Sequence, residues 1–121
     1  MSTLFSHLLL IATMAAYAAM NVTGKWAGEV QGQDAKHTIT FTLDTEGDKV
    51  TGTEGRSNAA DVPIQEGRLN GNTLTFFVNR DIGDRVLVLD YTGKVSDDKI
   101  DFVVKPRGNG WTTRFTATRK K

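Results

Sequence analysis

The chain contains no cysteine. That excludes disulfide staples, thiolate metal sites, cysteine nucleophiles and a cysteine-anchored lipoprotein, so the fold must rest on its own packed core. Proline is scarce, two residues in all, and both fall at places that suit strand edges or loops. Histidine is equally scarce, at two, too few for a histidine-based zinc site, which takes three or four ligands at defined spacing. No excess of one charge is present: 15 basic residues face 14 acidic ones, for a net charge of +1. A dedicated nucleic-acid binder carries a clear basic surplus, so no nucleic acid is expected as partner. After residue 23 no long amphipathic helical pattern occurs, and no apolar run reaches the roughly 20 residues of a membrane span.

What remains, within 121 residues, is one domain's worth of chain. Residues 1–18 read as a signal peptide. Leu8-Leu9-Leu10-Ile11 forms a short apolar core, and Ala16-Tyr17-Ala18 a small-residue cleavage site. The expected organisation is a signal peptide over 1–18, a linker over 19–23 and a β-domain over 24–121. The expected location is secreted or periplasmic in a bacterium, with no membrane attachment after cleavage.

From Gly24 onward, apolar residues alternate with polar ones in short runs. Ile39, Phe41 and Leu43 share one face, as do Leu74, Phe76 and Val78; Leu87, Leu89 and Tyr91; and Ile100, Phe102 and Val104. Eight strands are expected, at about 24–33, 36–44, 48–55, 62–70, 72–79, 85–96, 98–105 and 111–119. Tight turns at Glu46-Gly47-Asp48, Asn70-Gly71-Asn72 and Ser96-Asp97-Asp98 alternate with longer connections near 55–61, 80–85 and 105–110. In an antiparallel up-and-down barrel every second connection lies at the same end, which predicts one tightly closed end and one loop-rich mouth.

The first strand opens Thr23-Gly24-Lys25-Trp26 and the last closes Phe115-Thr116-Ala117-Thr118-Arg119. The opening resembles the Gly-x-Trp start of lipocalins and the Thr-Gly-x-Trp start of avidin-type barrels, a calycin-like architecture. The resemblance implies that Trp26 plugs the closed end and that Arg119 packs across its ring as structural barrel closure. More broadly, 22–121 resembles small secreted bacterial β-domains found beside sugar-active neighbours.

Chemistry is harder to find. His37 is expected on the outward, threonine-bearing face of its strand. No carboxylate pair, metal set or phosphate loop stands out, so no catalytic residue, no metal and no cofactor is expected. The mouth gathers candidate ligand-binding residues: Trp111, Arg107, Asn109, Arg80, Arg85 and Arg56, with Ser57, Asn58, Asp81 and Asp84 beside them. Arginine and tryptophan often carry binding energy, and a ring beside polar donors suits a small polar or carbohydrate ligand. Two alternatives stay open: Arg80, Asp81, Asp84 and Arg85 pair with one another, and Trp111 faces the core in step with Phe115. The inward rings favour a filled barrel with function confined to its rim. The expected function is a non-enzymatic binding module. An interaction domain docking on a sugar-active enzyme or on a second copy of the chain, motivated by apolar Phe77, Val86 and Val88, is the alternative. A small hydrolase is a further one.

Overall fold

A computed structural model of the protein describes residues 20–32, 35–108 and 110–121. The expected signal peptide and Asn109 lie outside the described residues. Eight antiparallel strands follow in chain order: β1 (Gly24–Gln31), β2 (Lys36–Glu46), β3 (Lys49–Arg56), β4 (Ala59–Asn70), β5 (Thr73–Ile82), β6 (Arg85–Ser96), β7 (Lys99–Pro106) and β8 (Thr113–Arg119). Each pairs with the next and β8 returns to β1, closing an up-and-down barrel. Closure removes the free sheet edges that an open eight-stranded sheet would expose.

Alternation fills the interior. Phe41, Phe76, Tyr91, Phe102 and Phe115 all point inward and form one ring cluster, with centroids from 4.8 Å (Phe76–Tyr91) to 6.4 Å (Tyr91–Phe115). Room for it comes from glycine. A Cβ on Gly93 would lie 2.8 Å from the Phe102 ring, so a side chain there would displace the cluster.

The closed end carries the turns after β2, β4 and β6. Gly47 and Gly71 take positive φ there, and so does Asp97 at 53°. Residues 20–23 cross this end and bury Val22. The buried Trp26 indole donates to the Val22 carbonyl at 2.9 Å. Arg119 stacks over the Trp26 ring at 4.3 Å and donates to the Thr23 carbonyl at 2.6 Å. Residues 20–23, within the expected linker, therefore form a plug.

The opposite end differs from the sequence expectation. The connections near 55–61 and 80–85 are not long loops: strands run on until only Ser57-Asn58 and Gly83-Asp84 remain as turns. Gly83, at φ 76°, supplies the left-handed residue that such a hairpin turn needs. The stretches read as loops are rich in glycine and in charged and amide residues, yet their backbones stay in the ladder. Long connections at this end are those after β1 and β7.

The barrel's seam is short. β1 and β8 pair only at Trp26↔Arg119, Ala27↔Thr118 and Gly28↔Ala117. By contrast, β5 and β6 pair from Thr73↔Lys94 to Ile82↔Arg85. Beyond Gly28 toward the mouth, β1 and β8 no longer pair.

Candidate functional site

Above the ring cluster the barrel turns polar. Period-two alternation from Val50 brings Glu54 and Arg56 of β3 inward, and alternation from Leu74 does the same for Arg80 of β5. Glu54 is fully buried. Its Oε1 accepts from Arg80 Nε at 2.9 Å and Nη2 at 2.5 Å, and its Oε2 accepts the Tyr91 hydroxyl. Arg80 also donates to the carbonyls of Ala60 at 2.5 Å and Glu54 at 3.2 Å. A buried carboxylate is costly unless paired and hydrogen-bonded, and Arg80 with Tyr91 meets both needs.

Arg56 joins more loosely. Its Nε lies 3.3 Å from Glu54 Oε1, and its Nη2 lies 3.4 Å from Oε2 and 3.3 Å from the Tyr91 hydroxyl. Its side chain keeps 27% exposure, against 10% for Arg80. Burial and the adjacent Glu54 charge push the Tyr91 hydroxyl well above the usual phenol range, so it holds its proton. Burial works against the Arg56 charge, but Glu54 and Tyr91 outweigh it and hold the guanidinium above its ordinary value.

Between this group and the mouth lies a half-open cavity of about 240 Å³. Its walls are Val30, Ile39, Leu87, Leu89, Val104 and Phe115, with Tyr91 and Arg56 toward the interior and His37, Thr113 and Trp111 completing the lining. Val30 and Phe115 stand on the two strands that have parted, so the cavity lies where the seam opens. The ring cluster fills the barrel beneath it, so the interior is filled only in part.

The expected mouth residues separate. Arg56 and Trp111 both line the cavity, and Trp111 is 49% exposed rather than buried with Phe115. Arg80 is locked into the ion group; neither it nor Arg85 forms an ion pair with Asp81 or Asp84 among the described residues. Arg85 is exposed opposite Ile82, outside the cavity. Arg107 turns to the outer surface, bonding Asp90 at 2.6 and 3.1 Å with its guanidinium 4.7 Å from the Phe77 ring. That bond to Asp90 raises the Arg107 pKa.

His37 corrects an expectation outright. Placed on the outer face in the sequence reading, it shares parity with Ile39, Phe41 and Leu43 and lines the cavity. Glu54 was missed altogether, although counting by twos from Val50 reaches it. Among the described residues no three His, Asp or Glu gather as metal ligands. A comparison with protein-family models, with curated proteins and with solved structures finds no match to this chain.

Proposed function

We propose that this domain is a binding module that takes a small, largely apolar molecule into the cavity at its mouth. The observation that carries this reading is the recess itself: an apolar-walled hollow in an otherwise packed barrel, rimmed by a half-exposed tryptophan. Ligand sites are typically concave and apolar with a few placed polar groups, at about 300–1,000 Å³ for drug-sized molecules. A cavity of about 240 Å³ calls for something smaller, such as one aromatic ring with a short chain. The lining favours an apolar body over the glycan expected at the rim, because Arg107 and Arg80 are committed elsewhere. A sealed end opposite an open one is also how lipocalin- and avidin-type barrels are built, a likeness of architecture that supports a carrier role only by analogy. The signal-peptide pattern of residues 1–18 supports a secreted or periplasmic setting.

The test is binding of 3-phenyl-1-propanol followed by NMR. Shifts are expected at Leu87, Leu89, Val104 and the Trp111 indole, and Val30→Phe, which fills the recess, is expected to abolish them. Shifts scattered over the outer surface, or binding undiminished in a folded Val30→Phe protein, would overturn the reading.

A second reading has its own observation. Ile82 and Val86 stand 42% and 55% exposed near the tip of the β5–β6 hairpin, a placement that suits a protein partner. Sedimentation of the protein alone tests the case of a second copy. Association weakened by Ile82→Ser/Val86→Ser would support it, and a monomer at all concentrations would remove that partner.

A further inference from the structure

We infer that the ligand of this cavity carries a single negative charge, a carboxylate or similarly compact anionic head, and that Arg56 binds it from the cavity wall. This rests on reading the recess as a binding site and names the chemistry of what enters it.

The first argument is charge. The buried polar group contains one carboxylate, Glu54, and two guanidinium groups, Arg80 and Arg56. Arg80 alone neutralises Glu54, through two bonds to one carboxylate oxygen, and Tyr91 occupies the other. Arg56 is then a surplus cation. Among the described residues it forms an ion pair with Glu54 and no other carboxylate, and that carboxylate is already satisfied.

The second argument is geometry. The bonds from Arg56 to Glu54 and Tyr91 are all 3.3 Å or longer, against the 2.7–2.9 Å typical of charge-assisted pairs. Its Nη1 makes no hydrogen bond to another described residue. Arg56 lines the cavity and keeps a quarter of its side chain exposed, so its unused donors are within reach of a molecule in the recess.

The third argument is selectivity. A neutral apolar ligand would strip solvent from Arg56 without replacing its hydrogen bonds, which is costly for a charged group. An anion would supply both the bonds and the missing charge. His37, on the same inward face of β2 and in the same lining, offers a second N–H. Tyr91 offers none, since its proton is given to Glu54.

The experiment compares 3-phenylpropionate with the size-matched 3-phenyl-1-propanol by calorimetry, on the full chain and on Arg56→Gln and Arg56→Lys. The wild type is expected to bind the carboxylate at least about tenfold more tightly, the scale of one hydrogen bond to a charged group. Arg56→Gln should erase that preference by weakening the carboxylate, and Arg56→Lys, which keeps the charge, should retain part of it. Equal wild-type affinities, or a preference that survives in Arg56→Gln, would overturn the anion assignment while leaving the binding reading intact. If neither compound enters the recess, the binding reading fails and the anion goes with it. Arg56→Lys guards against a glutamine variant that fails to fold: a full preference for the alcohol in that variant would also count against the assignment.

Discussion

Glu54 is the residue on which the upper barrel turns, because three side chains converge on its carboxylate. Arg80→Leu removes its short ion pair and leaves the buried carboxylate with the Tyr91 hydroxyl and only the looser Arg56, at 3.3 Å, as counter-charge. Breaking one side of a buried ion pair costs about 3–5 kcal/mol, so urea denaturation of this variant should show a loss of that size. Tyr91 gives a pH signature. The unfolded phenol ionises near pH 10, whereas the folded one is held protonated above that. Its contribution is complete below about pH 10 and is lost above it, at up to about 1.4 kcal/mol per pH unit. Tyr91→Phe should therefore flatten the alkaline fall in stability, measured as denaturant midpoints between pH 9 and 11. Part of this site was legible in the sequence. Arg56 and Trp111 were singled out, and both line the cavity. Glu54 was not, because hydrophobic alternation marks which face is buried only where the residues are apolar. The run Thr51-Gly52-Thr53-Glu54-Gly55-Arg56 offers no such marker. His37 shows that counting alone would have sufficed there.

The strands themselves were far more legible than the connections between them. Runs such as Ile39, Phe41 and Leu43 announce a strand by period, and the Asn70-Gly71 turn announces a hairpin. The ends of β3, β4, β5 and β6 at the mouth mix charged and glycine residues with a few apolar ones such as Ile82 and Val86, without a clean alternation, so composition there looks like loop while the backbone stays paired. The plug at the other end is an element of a different kind. Residues 20–23 form no strand, yet they are pinned by Trp26, Thr45 and Arg119. Arg119→Ala removes the cation–π contact, worth about 0.5–2 kcal/mol, together with the bonds to the Thr23 and Asn21 carbonyls. The expected cost is about 1–3 kcal/mol in thermal or chemical denaturation, with Trp26 fluorescence shifting red as the ring loses its cover. The bond to Asp98 adds little to this, since exposed ion pairs contribute at most about 1 kcal/mol.

At the scale of the whole molecule, the barrel is closed by eight strands but zipped unevenly, and its weakest junction coincides with its cavity. A ligand seated there touches both sides of the open seam, Val30 on β1 and Phe115 on β8. Occupancy should therefore stabilise the barrel as one unit. At one hundred times its dissociation constant, a ligand adds about 2.7 kcal/mol, which raises the melting temperature of a domain of this size by roughly 10–20 °C at about 4–8 °C per kcal/mol. Differential scanning fluorimetry across a 3-phenylpropionate titration should show that rise in the wild type and lose most of it in Val30→Phe.

The plug has one more consequence. Met20 enters and Lys120 leaves at the same end, where the Lys120 amide bonds the Lys25 carbonyl at 2.8 Å. Met20 and Lys120 thus both stand on the pole opposite the recess. A tether, tag or fused neighbour attached at either of them would hold the barrel by its base, like a cup by its foot, with the mouth facing outward.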